Sequence, residues 1–465
     1  MWDLLLKGGQ VVDPVNGIND VMDVAIEDGR VAAVGKDLVG KTKAIEDCSG
    51  LIVMPGVIDC HLHLGSTFGG PNGMRMAALS GVTSCIDMAG PLGDILAHGH
   101  TDGAGLNVAI MDCFYPTQAY GVHHPTRAQV ADYIDRMTAG GAIGIKLIGG
   151  HFPLPVETCR DMIELCYEKH HFVAWHAGSD TSKSDIDGMR EAIETAAGLP
   201  LHLAHVNSYC RGRVRAPEQE AAEAIELLKA NPNIFSDAYL SPLNGTMIDA
   251  NDDGSLPDFV TRCCLEIFKL PVNADGMREA FKRGLLFIMQ EGHGVTDIVG
   301  GAEGLAIWEA AGGKGMGCFT VNPAVSRLML AQAKRDDGSF VVDSISTDGG
   351  VVPRNVIVPM GINLVKFGAL TLPEFVHKAS VAGARYLRIK DRGHLSVGAV
   401  ADITIVDYSR SQAVETIVSG CVNMKNGQLY GQGMRVITSE VGAKAVRDKG
   451  HEAIVVDMTD MKVCR

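Results

Sequence analysis

The sequence is poor in aromatic residues, in cationic residues and in long apolar runs, and the last two shortages each exclude a class of protein. Phe, Trp and Tyr make up 5% of the 465 residues, and 41 Lys and Arg face 55 Asp and Glu, for a net charge of −14. Nucleic acids and anionic membranes both attract basic surfaces, so neither is expected as a partner. The chain also lacks a run of about 18 apolar residues, which a membrane-spanning helix needs.

Two further absences concern cysteine spacing and the first residues. The twelve cysteines include no CxxC pair, and the opening MWDLLLKGGQ lacks a basic segment followed by a long apolar one. Irregular cysteines in a large chain without an export signal are typical of reduced, cytoplasmic proteins. We therefore expect a cytoplasmic location. With 46% hydrophobic and 21% charged residues, the chain is long enough for one large globular domain and a smaller one.

What the sequence does contain is a buried-strand pattern that ends in two histidines. The stretch LIVMPGVIDCHLHLG, residues 51–65, is apolar apart from Asp59 until it reaches His61 and His63. Residues i and i+2 of a strand point to the same face, so the two imidazoles emerge together. Two imidazoles at a strand end can form half of a metal site. For this motif alone, two structural histidines are an equally simple interpretation.

Further strand patterns alternate with helical ones along the middle of the chain. Besides the first, the strand candidates are residues 82–88, 106–112, 142–149, 171–178, 200–208, 233–240 and 340–349. Eight strands in alternation with helices predict an α/β fold, specifically a (β/α)8 TIM barrel. The active site of such a barrel lies at the carboxyl ends of its strands, where His61 and His63 fall.

The two ends of the chain are β-rich and are broken by Gly-Gly, Asp-Gly and Asn-Gly turns. Residues 1–54 and 392–432 are predicted to form one small β-sandwich domain, residues 55–391 the catalytic barrel, and residues 433–465 a C-terminal extension. Residues 240–340, between strands seven and eight, are too many for a plain loop. Their helical patterns predict a helical insertion that caps the barrel mouth, with a lateral insertion for subunit contacts as the alternative.

Polar residues interrupt the apolar strands near their carboxyl ends. They are His61, His63, Lys146, His176, His205 and Asp348. Taken singly, each has a structural explanation, such as a snorkelling lysine or a turn aspartate. Six at one end of a barrel would converge in one mouth, where buried charges must be paired or bind metal. His202 lies three residues before His205, so it faces the other side of the strand and is expected to be structural.

This ordered set resembles the amidohydrolase superfamily over nearly the whole chain. The matching segments are PGVIDCHLHLG, GVTSCIDM, GAIGIKLIGG, WHAG, LAHVNS, STDGG and GHLSVGAVADITIVD. The resemblance implies two divalent metal ions. The two histidines of the first strand would bind the more buried ion, which Asp348 completes, and His176 and His205 would bind the more exposed one. Lys146 would be carboxylated by CO2 to a carbamate that bridges both ions.

The resemblance also implies a reaction. The ions, with zinc as the expected metal, lower the pKa of a bridging water to about 7, and the resulting hydroxide attacks an amide carbonyl. Asp348 accepts the proton and returns it to the departing nitrogen. The expected function is hydrolysis of the C–N bond of a small cyclic amide of the hydantoin or dihydropyrimidine type, or of an N-acyl amino acid. The alternatives are a nucleobase-type deaminase, which usually lacks the bridging lysine, and a catalytically silent scaffold relative.

The motifs of this chain resemble two different branches of the superfamily. Lys146 and GVTSCIDM are similar to dihydroorotases and hydantoinases, whereas SDAYLSPLNGT and DRGHLSVGAVADITIVD are more similar to D-aminoacylases. Hydantoinases carry a tyrosine five residues beyond the lysine, and here that position is His151. D-aminoacylases carry a bridging cysteine after the second strand, and here the corresponding residue is Ala89. Related enzymes are commonly dimers or tetramers, so a homo-oligomer is expected by analogy.

Arginines near the predicted site give one indication of substrate polarity. Arg211, Arg213 and Arg215 follow strand six, and Arg354 follows Asp348 by six residues. Because arginine suits carboxylates, one of them is expected to hold a substrate carboxylate, with surface charges as the alternative. The residues expected to contact a small-molecule substrate are therefore His151, Arg211, Arg213 and Arg354.

Overall fold

The computed structural model describes residues 1–68 and 71–463. Its strands are β1 (Trp2–Asp13), β2 (Ile18–Glu27), β3 (Arg30–Gly35), β4 (Thr42–Asp47), β5 (Ile52–Pro55), β6 (Val57–His63), β7 (Val82–Asp87), β8 (Ala104–Cys113), β9 (Gly144–Ile148), β10 (Phe172–His176), β11 (Leu201–Leu203), β12 (Ile234–Tyr239), β13 (Asn244–Met247), β14 (Leu286–Gly292), β15 (Val295–Gly300), β16 (Met316–Phe319), β17 (Ser344–Ser346), β18 (Gly349–Gly350), β19 (Ile403–Asp407), β20 (Gln412–Val418), β21 (Cys421–Lys425), β22 (Gln428–Leu429), β23 (Gly433–Ser439) and β24 (Glu452–Val456).

The helices are α1 (Gly73–Leu79), α2 (Leu92–Thr101), α3 (Pro116–Tyr120), α4 (Arg127–Ala139), α5 (Val156–Glu168), α6 (Ile186–Ala196), α7 (Pro217–Ala230), α8 (Phe259–Ile267), α9 (Ala274–Lys282), α10 (Gly301–Ala310), α11 (Ala324–Gln332), α12 (Ile357–Lys366), α13 (Leu372–Val376), α14 (Ala382–Leu387) and α15 (Glu440–Asp448). A 3₁₀ turn covers Val206–Tyr209, and a π turn, His377–Val381, joins α13 to α14. Among these helices none has the length and apolar character needed to cross a membrane.

Eight parallel strands form the barrel in the order of the sequence. β6, β7, β8, β9, β10, β11, β12 and β17 are neighbours in one sheet, and β18, which follows β17, pairs with β6. Every residue of β6, β7, β8 and β12 is buried, as expected for strands with side chains on one face filling the barrel and helices over the other. The predicted TIM barrel is confirmed, with the strand ends of β6 and β17 side by side.

A second sheet is built from both ends of the chain. Its order is β22-β21-β20-β19-β5-β1-β2-β3, and β4 pairs with β1. Residues of both ends share one apolar core, in which Leu6, Val24 and Ile26 pack with Ile403 and Ile417. The small β domain expected beside the barrel is therefore present. The boundaries given for this domain from the sequence, residues 1–54 and 392–432, stay a prediction.

The insertion between β12 and β17 differs from the helical cap expected there. It contains α8 to α11, but also an antiparallel sheet in the order β13-β16-β14-β15. Its own apolar core includes Leu265, Phe281 and Trp308. The stretch DGMREAFKRGLLFIM, which contributes to the helical pattern of residues 240–340, forms α9 followed by β14. Gly284, with a φ of +67°, ends the helix in the left-handed region. The insertion is therefore a mixed α/β unit.

The C-terminal extension packs on the barrel of the same chain. β23 and β24 are parallel neighbours joined by α15, and β23 pairs with the first half of β8, from Ala104 to Ala109. The second half of β8, from Met111 to Cys113, pairs with β9 instead. The extension thus adds two strands at the amino end of the barrel, away from the strand ends that carry the candidate site.

Candidate metal centre

His61 and His63 end β6 and meet Asp348 across the barrel mouth. Nε2 of His63 lies 2.8 Å from Oδ1 of Asp348, and Nε2 of His61 lies 3.5 Å from the same oxygen. One ligand atom from each of the three residues can be chosen so that all lie within 4.8 Å of one another, and all three residues are buried. Two imidazole nitrogens and a carboxylate oxygen are a ligand set that zinc accepts.

The backbone fixes Asp348 in this position. Its N–H donates to the carbonyl oxygen of His61 at 2.7 Å, which ties the turn after β17 to the end of β6. Its φ is +49°, a left-handed conformation that aspartate tolerates better than most residues. His205, another candidate ligand, also has a positive φ, at +37°. Strained backbone of this kind persists where the surrounding structure enforces it, commonly at functional sites.

His176 and His205 form a second pair beside the first. Nε2 of His205 lies 3.1 Å from Nδ1 of His176, and the rings of His205 and His61 stack with centroids 4.9 Å apart. Burial lowers the pKa of both His176 and His205 well below the usual value, and it lowers that of His61 to about 4. All three imidazoles are therefore neutral at pH 7, the form that binds metal. Two facing imidazole nitrogens must share either a proton or a cation.

Lys146 lies on β9 and is 1% exposed. Its Nζ is 3.4 Å from Sδ of Met88. Among the described residues, no carboxylate oxygen lies within 4 Å of Nζ. Burial lowers the pKa of Lys146 to about 8, so a neutral amine is accessible near physiological pH. A buried amine without an ion-pair partner fits a lysine whose charge is removed by reaction with CO2.

One cavity collects all six predicted ligands, together with three of the four predicted substrate contacts. The three are His151, Arg211 and Arg354. The ring of His151 lies between those of Phe68 and His176, with centroid distances of 5.3 and 5.7 Å. The fourth predicted contact is placed elsewhere, because Arg213 does not line this cavity.

Arg354 is engaged with the protein itself. It is 3% exposed, and Nη2 lies 2.6 Å from Oδ2 of Asp348. Nε and Nη1 donate to the backbone oxygens of Asp348 and Leu243 at 2.6 and 3.1 Å. Burial alone would raise the pKa of the Asp348 carboxyl, but Arg354 and the adjacent histidines hold it well below its usual value. The carboxylate is therefore ionised and fixed.

Asp237 on β12 was not singled out from the sequence. It contacts three histidines, His61, His202 and His205. Oδ1 accepts from Nε2 of His202 at 2.8 Å and from the backbone N–H of His205 at 3.0 Å. Oδ2 lies 3.5 Å from Nδ1 of His61 and accepts from Oγ of Ser346. A carboxylate opposite Nδ1 favours the tautomer of His61 that turns its bare Nε2 toward Asp348. The signal was a lone carboxylate in the apolar strand NIFSDAYL.

Asp59, also on β6, is a second supporting carboxylate. It accepts hydrogen bonds from the backbone N–H of His61 at 3.1 Å and of Thr347 at 3.2 Å. Burial raises the pKa of Asp59 to about 7. These bonds join the strand that carries the paired histidines to the turn that carries Asp348.

Comparison with known proteins places the chain in a defined group. A family model described as "Amidohydrolase family" matches residues 52–433. A dihydroorotase of Geobacter metallireducens is 25% identical over 454 residues, which cover 89% of this chain and 92% of that protein.

Two solved structures share the fold. An N-acyl-D-glutamate deacylase from Bordetella bronchiseptica, in complex with zinc, has a TM-score of 0.68 at 16% identity, covering 94% of this chain and 99% of that one. A dihydropyrimidinase from Brevibacillus agri has a TM-score of 0.64 at 16% identity, covering 95% and 100%.

Proposed function

The chain belongs to the amidohydrolase family, and on that premise we propose that it uses two divalent metal ions to hydrolyse the C–N bond of a small amide. The substrate is a cyclic amide of the hydantoin or dihydropyrimidine type, or an N-acyl amino acid. One observation carries the proposal: His61, His63 and Asp348 converge within 4.8 Å in a cavity that Lys146, His176 and His205 also line. The relatives by sequence and by structure act on amides of these two kinds, as their names state.

The residues divide into two metal positions. His61, His63 and Asp348 would hold one ion, and His176 with His205 would hold the second. Lys146, once carboxylated by CO2, would supply oxygen ligands. Zinc is the proposed metal, because neutral imidazoles with carboxylate-type oxygens suit it.

When bound, such a pair of ions lowers the pKa of a water and polarises an amide carbonyl. Residues of the chain itself transfer the proton, orient the carboxylate and line the cavity. The Asp348 carboxylate takes up the proton that the water releases and passes it to the nitrogen that leaves, so no net proton is consumed at this residue. Arg354 keeps that carboxylate ionised and oriented before each cycle. Phe68, whose ring lies 4.8 Å from that of His63, adds an apolar side chain to the lining of the same cavity.

Other parts of the proposal concern the protein as a whole. We place it in the cytoplasm as a homo-oligomer, a dimer or tetramer. The eleven cysteines in the described part of the chain form no disulfide, which supports a reducing compartment. The alternatives of a deaminase and a silent scaffold are less well supported, because a lysine lines the cavity and all six ligand positions are filled.

A hydrolysis screen tests this function. Metal-replete protein is incubated with hydantoins, dihydropyrimidines and N-acyl amino acids, each as both enantiomers where the compound is chiral. The formation of carboxylate is measured. We expect turnover of at least one class, and a loss of about 10²- to 10⁴-fold in kcat for Asp348→Asn. Asp336→Asn, which removes an exposed carboxylate on the surface, is the matched control. No turnover of any class by metal-replete protein, or equal kcat in Asp348→Asn, contradicts the proposal.

A further inference from the structure

Arg211 brings to the cavity a positive charge that forms no ion pair with a carboxylate of the described residues. It follows the 3₁₀ turn after β11 and lines the cavity that contains the candidate metal ligands. Nε donates to Oδ1 of Asn322 at 2.8 Å, and Nη2 donates to Tyr239 Oη and Asn244 Oδ1 at 2.9 Å each. Within residues 1–68 and 71–463, no carboxylate oxygen lies within 4 Å of this guanidinium, and Nη1 has no hydrogen-bond partner.

The groups that hold Arg211 are neutral and are themselves fixed. Nδ2 of Asn322 donates to the backbone oxygens of Pro242 and Leu243 at 3.2 and 2.9 Å, so its Oδ1 is left for the arginine. Asn244 opens β13 and Asn322 follows β16, so the two ends of the insertion position one guanidinium. A side chain held this way loses little conformational entropy when it binds a ligand.

The other arginines near the site are already committed to protein partners. Arg354 donates from all three of its nitrogens to protein oxygens, two of them on Asp348. Nη2 of Arg213 contacts Sγ of Cys263 at 3.4 Å, outside the cavity. Arg215 pairs with Glu223. Arg211 is therefore the arginine of this group whose charge is available to a ligand in the cavity.

We propose that Arg211 binds a carboxylate of the substrate, so that the enzyme acts on amides that carry an acidic group. The inference rests on the proposed function and narrows it: N-acyl amino acids and carboxylated cyclic amides are substrates, and their neutral counterparts are poor ones. The physical basis is that a preorganised guanidinium with an unused nitrogen forms charge-assisted hydrogen bonds to a carboxylate. A neutral substrate would leave that charge half-buried and unpaired.

Matched substrate pairs test the inference on the metal-replete protein. One pair is dihydroorotate and dihydrouracil, and the other is an N-acetyl amino acid and its carboxamide. For the pair that is hydrolysed, we expect wild-type kcat/KM to favour the acidic member by about tenfold or more, as one charged hydrogen bond provides. Arg211→Gln should raise KM for the acidic member by about 10- to 100-fold, and this rise should remove most of the preference. Arg211→Lys should keep part of it, because the charge remains.

Arg215→Gln, the same change four residues away in an exposed pair, is the control and should keep the wild-type preference. A preference for the neutral member in the wild type, or an unchanged preference in Arg211→Gln, overturns the inference. Should Arg211→Gln fail to fold, the partial preference expected of Arg211→Lys decides instead, and a full wild-type preference in that variant counts against the role of Arg211.

Calorimetric titration separates this inference from the proposed function. The same compounds are titrated into metal-replete Lys146→Ala protein, which keeps the pairing of Asp348 with Arg354, with Arg211 intact or changed to Lys. Tighter binding of the acidic member that weakens in Arg211→Lys supports the anion site even if neither compound is hydrolysed. Equal binding of both members, or no binding of either, overturns it, whatever the hydrolysis screen shows.

Discussion

Oδ2 of Asp348 lies 2.6 Å from Nη2 of Arg354, and both side chains are buried. The same arginine donates through Nε to the backbone oxygen of Asp348, also at 2.6 Å. This geometry pairs Arg354 with Asp348, so we expect the arginine to act on that carboxylate. Its guanidinium keeps the carboxylate ionised in surroundings that would otherwise raise its pKa.

Arg354→Gln should therefore act on kcat and on the pH profile. Without the cation the pKa of Asp348 rises, so the acidic limb of kcat/KM should move to higher pH, and kcat should fall by about 10- to 100-fold. Arg354→Lys should shift the limb less. An effect confined to KM, with kcat and the acidic limb unchanged, would indicate that Arg354 binds the substrate.

Asp237 is expected to set the metal affinity of the histidines that it contacts. Asp237→Asn keeps the size of the side chain but removes the charge opposite Nδ1 of His61, so the affinity for the divalent ion should weaken by about 10- to 100-fold. Competition with a chelator of known affinity measures the change. Asp253→Asn, on an exposed turn, is the control. Equal metal affinity in Asp237→Asn and wild type would reduce Asp237 to a structural residue.

Lys146→Ala should lose most of the activity, because the oxygens of the proposed carbamate are removed. Acetate or propionate should restore part of it by occupying the space of that group, as measured by initial rates across a titration of the acid. The same acids should not rescue His61→Ala, which lacks a nitrogen ligand and not an oxygen one. Wild-type rates in Lys146→Ala would show that the lysine is structural.

His171 provides a pH prediction away from the metal centre. It is 5% exposed, its Nδ1 has no hydrogen-bond partner among the described residues, and burial lowers its pKa from 6.5 to about 4. Below pH 6.5 the unfolded chain binds a proton that the folded chain resists until about pH 4. Stability is therefore lost as pH falls through that window, by about 2 kcal/mol at pH 5 for this group.

The corresponding measurement is the free energy of unfolding in urea at pH 7 and pH 5. His171→Gln cannot bind that proton, so its free energy of unfolding should fall less than that of the wild type between the two pH values. An identical fall in both proteins would mean that His171 is protonated in the folded state at pH 5.

The sequence was sufficient to predict that six polar side chains meet in one cavity, because each interrupts an apolar strand and the barrel topology brings the strand ends together. Their role as metal ligands stays a prediction. Asp237 gave the same signal within NIFSDAYL, but its role depends on His61 and His202, which lie on other strands. The partners of Arg211 could not be predicted either. Asn322 is 111 residues away in sequence, so nothing local distinguishes Arg211 from Arg213.

The insertion shows a different limit. The stretch DGMREAFKRGLLFIM has apolar residues at helical spacing up to Phe281, and a continuous apolar run after it. A short apolar run fits a buried helix or a strand equally well. The structure resolves this ambiguity by pairing β14 with β15 and β16, contacts that form only once the insertion has folded on itself.

Elemental analysis of protein purified without chelators measures the metal content of the proposed centre. We expect about two divalent ions per chain, and about one in a His176→Gln variant that still folds, because the site of His61, His63 and Asp348 remains. A correctly folded protein that hydrolyses its substrate and contains no divalent ion would show that the reaction does not depend on a metal centre.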